Sequence, residues 1–346
     1  MINIYGVSPN QLEELMLQME QKKYRAEQLL SWIYLKRATS FDIMSDVSLS
    51  FRELLKEKFC FEKPSIFKKQ LSSDGTIKLL LEMKDGARVE TVLMRYEYGN
   101  VICISSQVGC NMGCSFCASG LLKKTRNLET SEMMGQFLVV NDLLNQDNEH
   151  ITHVVVMGTG EPFDNYDNVM SFVRIINYQK GLAIGARHIT VSTCGLVDKI
   201  KRYAHEGIQI NLAISLHASN DATRNEIMKI NKAYPIKDII EAAKYYEQEA
   251  GRRVTFEYIL LKGINDSISC ADELSDLIRG MLAYVNLIPY NEVNENSFKR
   301  SDDKTIHDFL DRLTKRGITA TIRKEFGSDI DAACGQLRAK YSHNES

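Results

Sequence analysis

What this chain of 346 residues lacks narrows its class first. It has no long apolar run, and stretches such as Val154-Val-Val-Met157 are far too short to cross a bilayer. Its first residues, Met-Ile-Asn-Ile-Tyr-Gly, show no basic stretch leading into an apolar one. That argues against a secretory leader and for a cytoplasmic protein with no membrane partner. Charge excess is missing too: the formal net charge is −2, so composition alone announces no nucleic-acid binder. Internal repeats and low-complexity tracts are absent. What remains, 44% hydrophobic and 25% charged residues, is ordinary for a globular protein with room for a sizeable core and about two domains.

The cysteine pattern does not suit a disulfide scaffold either. Cys60, Cys103, Cys110, Cys114, Cys117, Cys194, Cys270 and Cys334 are widely scattered, and in a cytoplasmic chain such residues are thiols, metal ligands or transient redox partners. Three of them stand together in Cys110-Asn-Met-Gly-Cys114-Ser-Phe-Cys117, directly after the apolar segment Val101–Gln107. Three thiolates at this spacing can hold three irons of one [4Fe–4S] cluster per chain and leave the fourth iron open to a ligand. A closed zinc site would want a fourth ligand at short range and would have no such opening. The triplet resembles that of the radical S-adenosylmethionine (SAM) enzymes.

The surrounding pattern divides in two. Residues 1–97 read as a small helical domain plus a β-linker, and residues 98–346 as an α/β domain. Ser8-Pro9-Asn10-Gln11 has a capping-box pattern with Pro at the first helical position, opening a helix with Leu12, Leu15, Leu17 and Met19. A second helix is expected over Arg25 to Tyr34, burying Leu29, Leu30 and Ile33. A third is expected from a capping box at Ser50–Glu53 to about Phe59. Ile77–Met83 and Val89–Met94 read as strands joined at Asp85-Gly86. Beyond Val101, short apolar strands alternate with amphipathic helices, which implies a parallel sheet with helical crossovers. The strands are Val101–Ser106, His153–Met157, His188–Ser192, Ile208–Ser215, Val254–Leu261, Tyr284–Pro289 and Ile318–Arg323. About six repeats suggest a partial (β/α)6 barrel, whose chemistry would sit at the C-terminal strand ends.

Polar and small residues collect at those ends: Gly158-Thr-Gly160-Glu161-Pro162, Ser192-Thr-Cys194-Gly195, Ser215-Leu216-His217 and Pro289-Tyr-Asn291. Each alone reads as a strand cap; their common rim makes the argument. The two glycines after the second strand let a ligand approach the backbone, and Glu161 could grip the amino group of SAM. Cys334, flanked by the small residues Ala333 and Gly335, reads as well as a packing cysteine as a reactive one. Cys103 by itself reads as a core residue.

Taken together, Val89-Glu-Thr-Val, Cys103-Ile-Ser-Ser-Gln-Val-Gly-Cys110, Gly160-Glu-Pro, Ser215-Leu-His and Asp329-Ile-Asp-Ala-Ala-Cys334-Gly-Gln-Leu resemble the dual-specificity RNA methyltransferases of the RlmN type, over essentially the whole chain. A radical SAM barrel with a helical N-terminal domain follows from that resemblance. So does methylation of adenine C2 in 23S rRNA, near the peptidyl transferase centre, and of the adenine 3′ of the anticodon in tRNA. The related C8-specific Cfr type is the nearest alternative, and Glu161-Pro162 favours C2. A second cluster motif, which a methylthiotransferase would need, is absent.

The resemblance also implies roles. Cys110, Cys114 and Cys117 hold the cluster. Gly160, Glu161, Ser192, Ser215, Leu216, His217 and Asn291 contact SAM. Cys334 is methylated by one SAM and carries the methyl to the base after a second SAM yields a radical. Cys103 releases the product by attack on Cys334, leaving a transient disulfide, and Glu90 accepts the proton. An electron donor such as flavodoxin or ferredoxin and a monomeric state are implied with them. The helical domain and the basic run Lys123-Lys124-Thr-Arg126 are the expected RNA surface, which must admit an unstacked base. Two positions depart from the family pattern: Thr159, where Met is usual, and Cys194, where a small residue such as Ser is more common. Cys60, Cys194 and Cys270 match no motif and read as packing or surface thiols.

Overall fold

The computed structural model describes residues 1–293, 296–333 and 335–337, with Leu121 described by its backbone alone. Strand β1 (Ile2–Asn3) pairs in parallel with β2 (Phe59–Cys60), so the chain returns to its start after three helices, α1 (Pro9–Gln18), α2 (Tyr24–Leu30) and α3 (Leu49–Lys58). The expected box opens α1: Gln11 N–H donates to Ser8 Oγ at 3.4 Å and Ser8 N–H to Gln11 Oε1 at 3.0 Å. Leu12 and Met16 form its buried stripe. Leu17 is exposed, because one step along a helix turns a side chain by about 100°. The second helix continues through a π-turn over Ser31–Leu35 and buries Leu29, Leu30 and Ile33 as expected.

The box expected at Ser50 is not formed. Helix α3 starts at Leu49, with Ser48 in the capping position, and Ser48 Oγ lies 3.4 Å from Ser50 Oγ instead of accepting an N–H. Arg52 secures this entry, donating from Nε to Val47 O and from Nη1 to Asp42 O, each at 2.8 Å.

Strands β3 (Ser65–Leu71), β4 (Ile77–Glu82), β5 (Arg88–Tyr96) and β6 (Gly99–Cys103) pair antiparallel in sequence order. The β4–β5 hairpin is the expected one, in register from Ile77↔Leu93 to Glu82↔Arg88, with Gly86 at φ +82° in its turn. Strand β3 is an addition to the expected set. It is an edge strand almost wholly exposed, so it shows no alternation to read, and Lys68 and Lys69 blunt its open edge.

Strands β7 (Gln107–Val108) and β8 (Arg126–Asn127) then pair antiparallel and enclose the loop that carries the three close cysteines. Strands β9 (Ile151–Val156), β10 (Ile189–Thr193), β11 (Asn211–Ser215), β12 (Val254–Leu260), β13 (Ala283–Pro289) and β14 (Ala320–Ile322) extend the main sheet from β6, all in parallel. The crossovers carry α4 (Thr130–Asn145), α5 (Tyr166–Asn177), α6 (Val197–Tyr203), α7 (Asp221–Ile227) with α8 (Ile236–Ala250), α9 (Ile268–Leu277) and α10 (Asp303–Lys315). The expected stripe of Ile236, Ile239, Ile240, Ala243 and Tyr246 is the buried face of α8.

The strand order runs β14-β13-β12-β11-β10-β9-β6-β5-β4-β3 and never reverses. A doubly wound sheet would reverse. Crossovers of one hand in an unreversed order all cover the same face, so the sheet is the expected partial (β/α)6 barrel, six strand–helix units and a last strand. Ile102, Val154 and Val156 face the helices in the main core. Val101, Cys103, Val155 and Met157 face the other way. Because β6 pairs with both β5 and β9, the sheet continues across residue 97.

The segment after β14 crosses to the far end of this sheet. Phe326 packs on Tyr96 of β5 with ring centroids 4.4 Å apart. Gly327 N–H donates to Asp74 Oδ2 at 2.9 Å, and Asp329 accepts from Ser72 Oγ at 2.5 Å and Ser73 N–H at 3.1 Å. Burial works to raise the Asp74 carboxyl, but hydrogen bonds from Gly327, Thr76 and Ser72 overcome it and bring its pKa down to about 2. A carboxyl whose folded pKa lies below its unfolded value stabilises the contact when ionised. This stabilisation is full above pH ~4 and is lost as pH falls through about 2. Hydrogen exchange at Ala332, whose N–H bonds to Gly327 O at 3.0 Å, is therefore expected to quicken in Asp74→Asn at neutral pH relative to the parent protein. In the parent, protection should weaken only within that acid window.

Candidate active site at the barrel rim

The turn after β9 fixes one wall of the site. Ser106 N–H and Gln107 N–H both donate to Thr159 O, at 2.9 and 3.1 Å, and Thr159 N–H donates to Ser105 Oγ at 3.0 Å. Thr159 thus shapes the turn through its backbone, and its Oγ1 accepts in addition from Ser119 Oγ at 3.4 Å. Gly160 has φ +109°, and a Cβ on it would lie 2.6 Å from Gln107 Cβ, so only glycine fits. Glu161 is buried; its Oε1 accepts from Phe163 N–H at 3.0 Å and its Oε2 from Cys194 N–H at 2.8 Å. Burial raises its pKa, and the two backbone donors work against that rise. The carboxyl therefore ties the β9 turn to the end of β10.

The cysteine loop docks beside this turn. Cys110 N–H donates to Leu122 O at 2.9 Å, and Ser115 N–H to Ile227 O at 2.9 Å. Gly109 has φ +76° and no room for a Cβ, which would meet Lys123 O at 2.4 Å. Cys110, Cys114 and Cys117 line one cavity of about 150 Å³ together with Gly160, Glu161, Ser192, Ser215 and His217. Five of the seven expected SAM contacts thus share a cavity with the three thiols. Leu216 is turned into the main core, its N–H bonded to Glu257 O and its carbonyl to Arg224 Nε. Asn291 lines a smaller adjoining cavity with Cys103, Arg323, Ala332 and Ala333.

The thiols fit a cationic group. Burial pushes the Cys110 thiol up to about 12, and Cys117, Glu161 and Asp164 add to the rise; Cys114 is raised further by burial and by both neighbouring cysteines. Crowded thiols that resist ionisation alone become thiolates beside a multivalent cation. Among the described residues no three His, Cys, Asp or Glu side chains converge on a single ion. Three close cysteines lining one cavity are a donor set that a [4Fe–4S] cluster with one open iron would fit.

His217 adopts φ +58°, held by Asn265 Nδ2 donating to its carbonyl at 2.7 Å and by Ile259 N–H donating to its Nδ1 at 3.0 Å. Burial, then the nearby Arg224, brings its pKa down to about 3, so it is neutral with its proton on Nε2. Arg224 itself is fully buried. It donates to Leu216 O at 3.0 Å, Cys194 O at 2.7 Å, Asn231 Oδ1 at 2.8 Å and Tyr234 O at 3.2 Å, joining the ends of β10 and β11.

Arg224 is missed by sequence reading because Asp-Ala-Thr-Arg-Asn-Glu reads as an exposed helix. Glu257 is missed too, although a lone acid inside Val254-Thr-Phe-Glu-Tyr-Ile-Leu is a usable signal. It lines the main cavity, with Arg323 Nη1 3.8 Å from its Oε2 and Asn286 Nδ2 at 2.9 Å. Cys194 also lines that cavity, its thiol raised by burial and by Glu161, so it is a site residue rather than a remote packing thiol.

Of the other expected residues, Cys103 is buried at the end of β6, opposite Val92. Glu90 is buried on β5 with its Oε1 3.2 Å from Lys78 Nζ. Cys334 lies outside the described residues. On either side of it, Ala118 N–H donates to Gly335 O at 2.7 Å, Ser119 Oγ to Leu337 O at 2.6 Å, and Ala332 packs in one apolar cluster with Cys103 and Leu337.

The expected basic patch is mostly spoken for. Arg126 binds Asp85 and Glu132 through four hydrogen bonds of 2.7–2.9 Å, and Lys124 pairs with Asp164 at 2.6 Å. Lys123 alone of the three is exposed and forms no ion pair with a described residue.

Three cluster-spaced thiols at the rim of an unreversed parallel sheet define a radical SAM enzyme, and residues 104–269 match the radical SAM superfamily. Residues 2–61 match the ribosomal RNA large subunit methyltransferase N-terminal domain. A "probable dual-specificity RNA methyltransferase RlmN" of Spiroplasma citri is 53% identical over 340 residues, 98% of each chain. One of the same name from Bacillus pumilus is 49% identical over 346 residues, 100% of this chain and 96% of that one. The crystal structure of a radical SAM methyltransferase from Sphaerobacter thermophilus superimposes with a TM-score of 0.92 at 42% identity, covering 98% of this chain and 100% of that one. The chain belongs to the RlmN family of dual-specificity RNA methyltransferases.

Replacing Arg224 by Met would leave several buried acceptors unpaired at once, so the unfolding free energy is expected to fall by about 3–5 kcal/mol. Denaturant titration measures it; a change below about 1 kcal/mol would mean the strand ends are held by other contacts.

Proposed function

We propose that the chain methylates adenine C2 in 23S rRNA and in the adenine 3′ of the tRNA anticodon, with Cys334 as the methyl carrier. When bound, a [4Fe–4S] cluster on Cys110, Cys114 and Cys117 and S-adenosylmethionine supply the radical that an electron-poor carbon such as adenine C2 requires. Gly160, Ser192 and Ser215 line the ligand's cavity, Glu161 and Arg224 hold its walls in place, and His217 offers a fixed Nε2–H donor. Asn291 reaches from the adjoining cavity, while Leu216 is turned into the core and anchors the strand end between Ser215 and His217.

The observation that carries this reading is the double tether of the tail. Gly335 and Leu337, after Cys334, bond to Ala118 and Ser119, immediately after Cys117, while Ala332, before it, shares one apolar cluster with Leu337 and Cys103. The described residues that flank the carrier cysteine thus border both the cysteine loop and Cys103, which supports its proposed role. As a thiolate, Cys334 takes a methyl group by displacement. After the methylene radical adds to C2, the adduct returns one electron to the redox group that supplied it, and Glu90 accepts the C2 proton. Cys103 thiolate then attacks the Cys334 sulfur, the S–C electron pair passes to the methylene and the base, a proton from solvent completes the methyl group, and a Cys103–Cys334 disulfide remains for an external dithiol to reduce. The reductant for the radical step is a carrier such as flavodoxin or ferredoxin. Among the described residues no helix is long and apolar enough to cross a membrane; a cytoplasmic location and a monomeric state are part of the same proposal.

The test is anaerobic incubation of iron- and sulfide-reconstituted protein with SAM, a reductant and unmethylated RNA, followed by mass spectrometry of the nucleosides. 2-Methyladenosine is expected; 8-methyladenosine would assign the C8 reaction instead. Cys334→Ala should reduce product to background. Cys103→Ala should still acquire the methyl on Cys334 yet accumulate protein covalently joined to RNA. Full turnover by either variant would refute the cysteine relay.

A further inference from the structure

A lysine inside a strand, only 6% exposed, is an unusual thing to bury. Lys78 sits on the inner face of β4, between the core residues Ile77 and Leu79 that face the helices. An ammonium taken out of water needs partners, and Lys78 has two from distant parts of the chain. Its Nζ lies 3.2 Å from Glu90 Oε1 on β5 and 3.0 Å from the carbonyl of Asp331. In the β4–β5 register Lys78 faces Val92 and Leu80 faces Glu90, so the ion pair is a diagonal one that a long side chain can span. Asp331 adopts φ +51°, a left-handed conformation that Asp enters more readily than most residues other than glycine, with local constraints to hold it. The ammonium on its carbonyl supplies one such constraint, three residues before Cys334.

We infer that Lys78 is a positioning residue that couples the orientation of the Glu90 carboxylate to the placement of the carrier segment. This rests on the roles given above to Glu90 and Cys334. One cation holds both the proton acceptor and the tail that presents the base adduct to it. A displacement of the tail therefore displaces the base by the same contact. Lys78 touches neither substrate nor cofactor; it acts through Glu90 and Asp331.

The inference separates proton removal from methyl loading. In Lys78→Met, Cys334 should still load to completion on prolonged incubation with SAM, while formation of 2-methyladenosine slows by about tenfold or more and the covalent RNA–protein species accumulates. Hydrogen exchange at Ala332 and Ala333 should quicken. Lys78→Arg keeps the cation and should recover most of the turnover. Equal losses in the Met and Arg variants without accumulation of the covalent species would reduce Lys78 to a structural role and overturn the inference, as would wild-type turnover in Lys78→Met. If Lys78→Met does not fold, Lys78→Gln combined with Glu90→Gln leaves no uncompensated charge. Its turnover should match that of Glu90→Gln alone, and a further tenfold loss would count against action through Glu90. Absence of 2-methyladenosine from the parent protein would instead sink the functional reading itself, whatever Lys78 does.

Discussion

The organising constraint is a sheet that cannot close on itself. Seven parallel strands in unreversed order curve because all crossovers lie on one face, yet β14 and β3 remain edges. The inner face of β5 and β6 would then expose Val92, Met94, Val101 and Cys103 to water. The segment after β14 covers them with Phe326, Ala332 and Leu337. Burial of these side chains supplies the drive, and polar contacts from Asp74, Asp329, Lys78, Ala118 and Ser119 supply the address. The same covering that removes apolar surface from water brings Gly335 and Leu337 to the cysteine loop. Fold completion and site completion are one event.

The rim itself is fixed by buried groups that bind backbone more than they bind each other. Arg224 takes carbonyls from β10 and β11 and the turn before α8; Glu161 takes N–H groups from its own turn and from the end of β10. Strand ends in a parallel barrel carry backbone groups that no neighbouring strand satisfies, and a buried side chain that satisfies them costs less than an empty one. The result is a wall of preset dipoles around the cavity, which do not have to reorganise when charge develops there. Glu257 with Arg323, and Glu90 with Lys78, are the exceptions. In these pairs opposite charges face each other across strands, and each pair borders the tail or the adjoining cavity.

Sequence pattern carried the barrel because apolar strands and amphipathic helices announce their periods directly. The cysteine triplet was legible because its spacing has few other uses, and the hairpin because Asp85-Gly86 leaves little choice of turn. Strand β3 was not legible, since a strand exposed on both faces has no alternation. Ser50 misled because several serines at a helix start each satisfy the capping pattern, and only packing selects among them. Arg224 was invisible for a deeper reason. Its partners are backbone carbonyls from segments far apart in sequence, and no residue type marks a carbonyl. The basic run at Lys123–Arg126 misled in the opposite sense, because Asp85, Glu132 and Asp164, which neutralise Lys124 and Arg126, come from elsewhere in the chain.

Cys194 shows how such a wall tolerates change. Its N–H is committed to Glu161 and its carbonyl to Arg224, so the position is defined by backbone and asks only for a side chain small enough to leave the cavity open. A thiol meets that demand. Burial, Glu161 and Cys114 all raise its pKa, which keeps it protonated and a poor ligand or nucleophile as it stands. Burial raises Cys110 and Cys114 as well, so the environment alone does not separate Cys194 from them. What sets the three proposed cluster ligands apart from Cys194 is the backbone they stand on: a loop enclosed by β7 and β8 for three of them, and the end of a β-strand for the fourth.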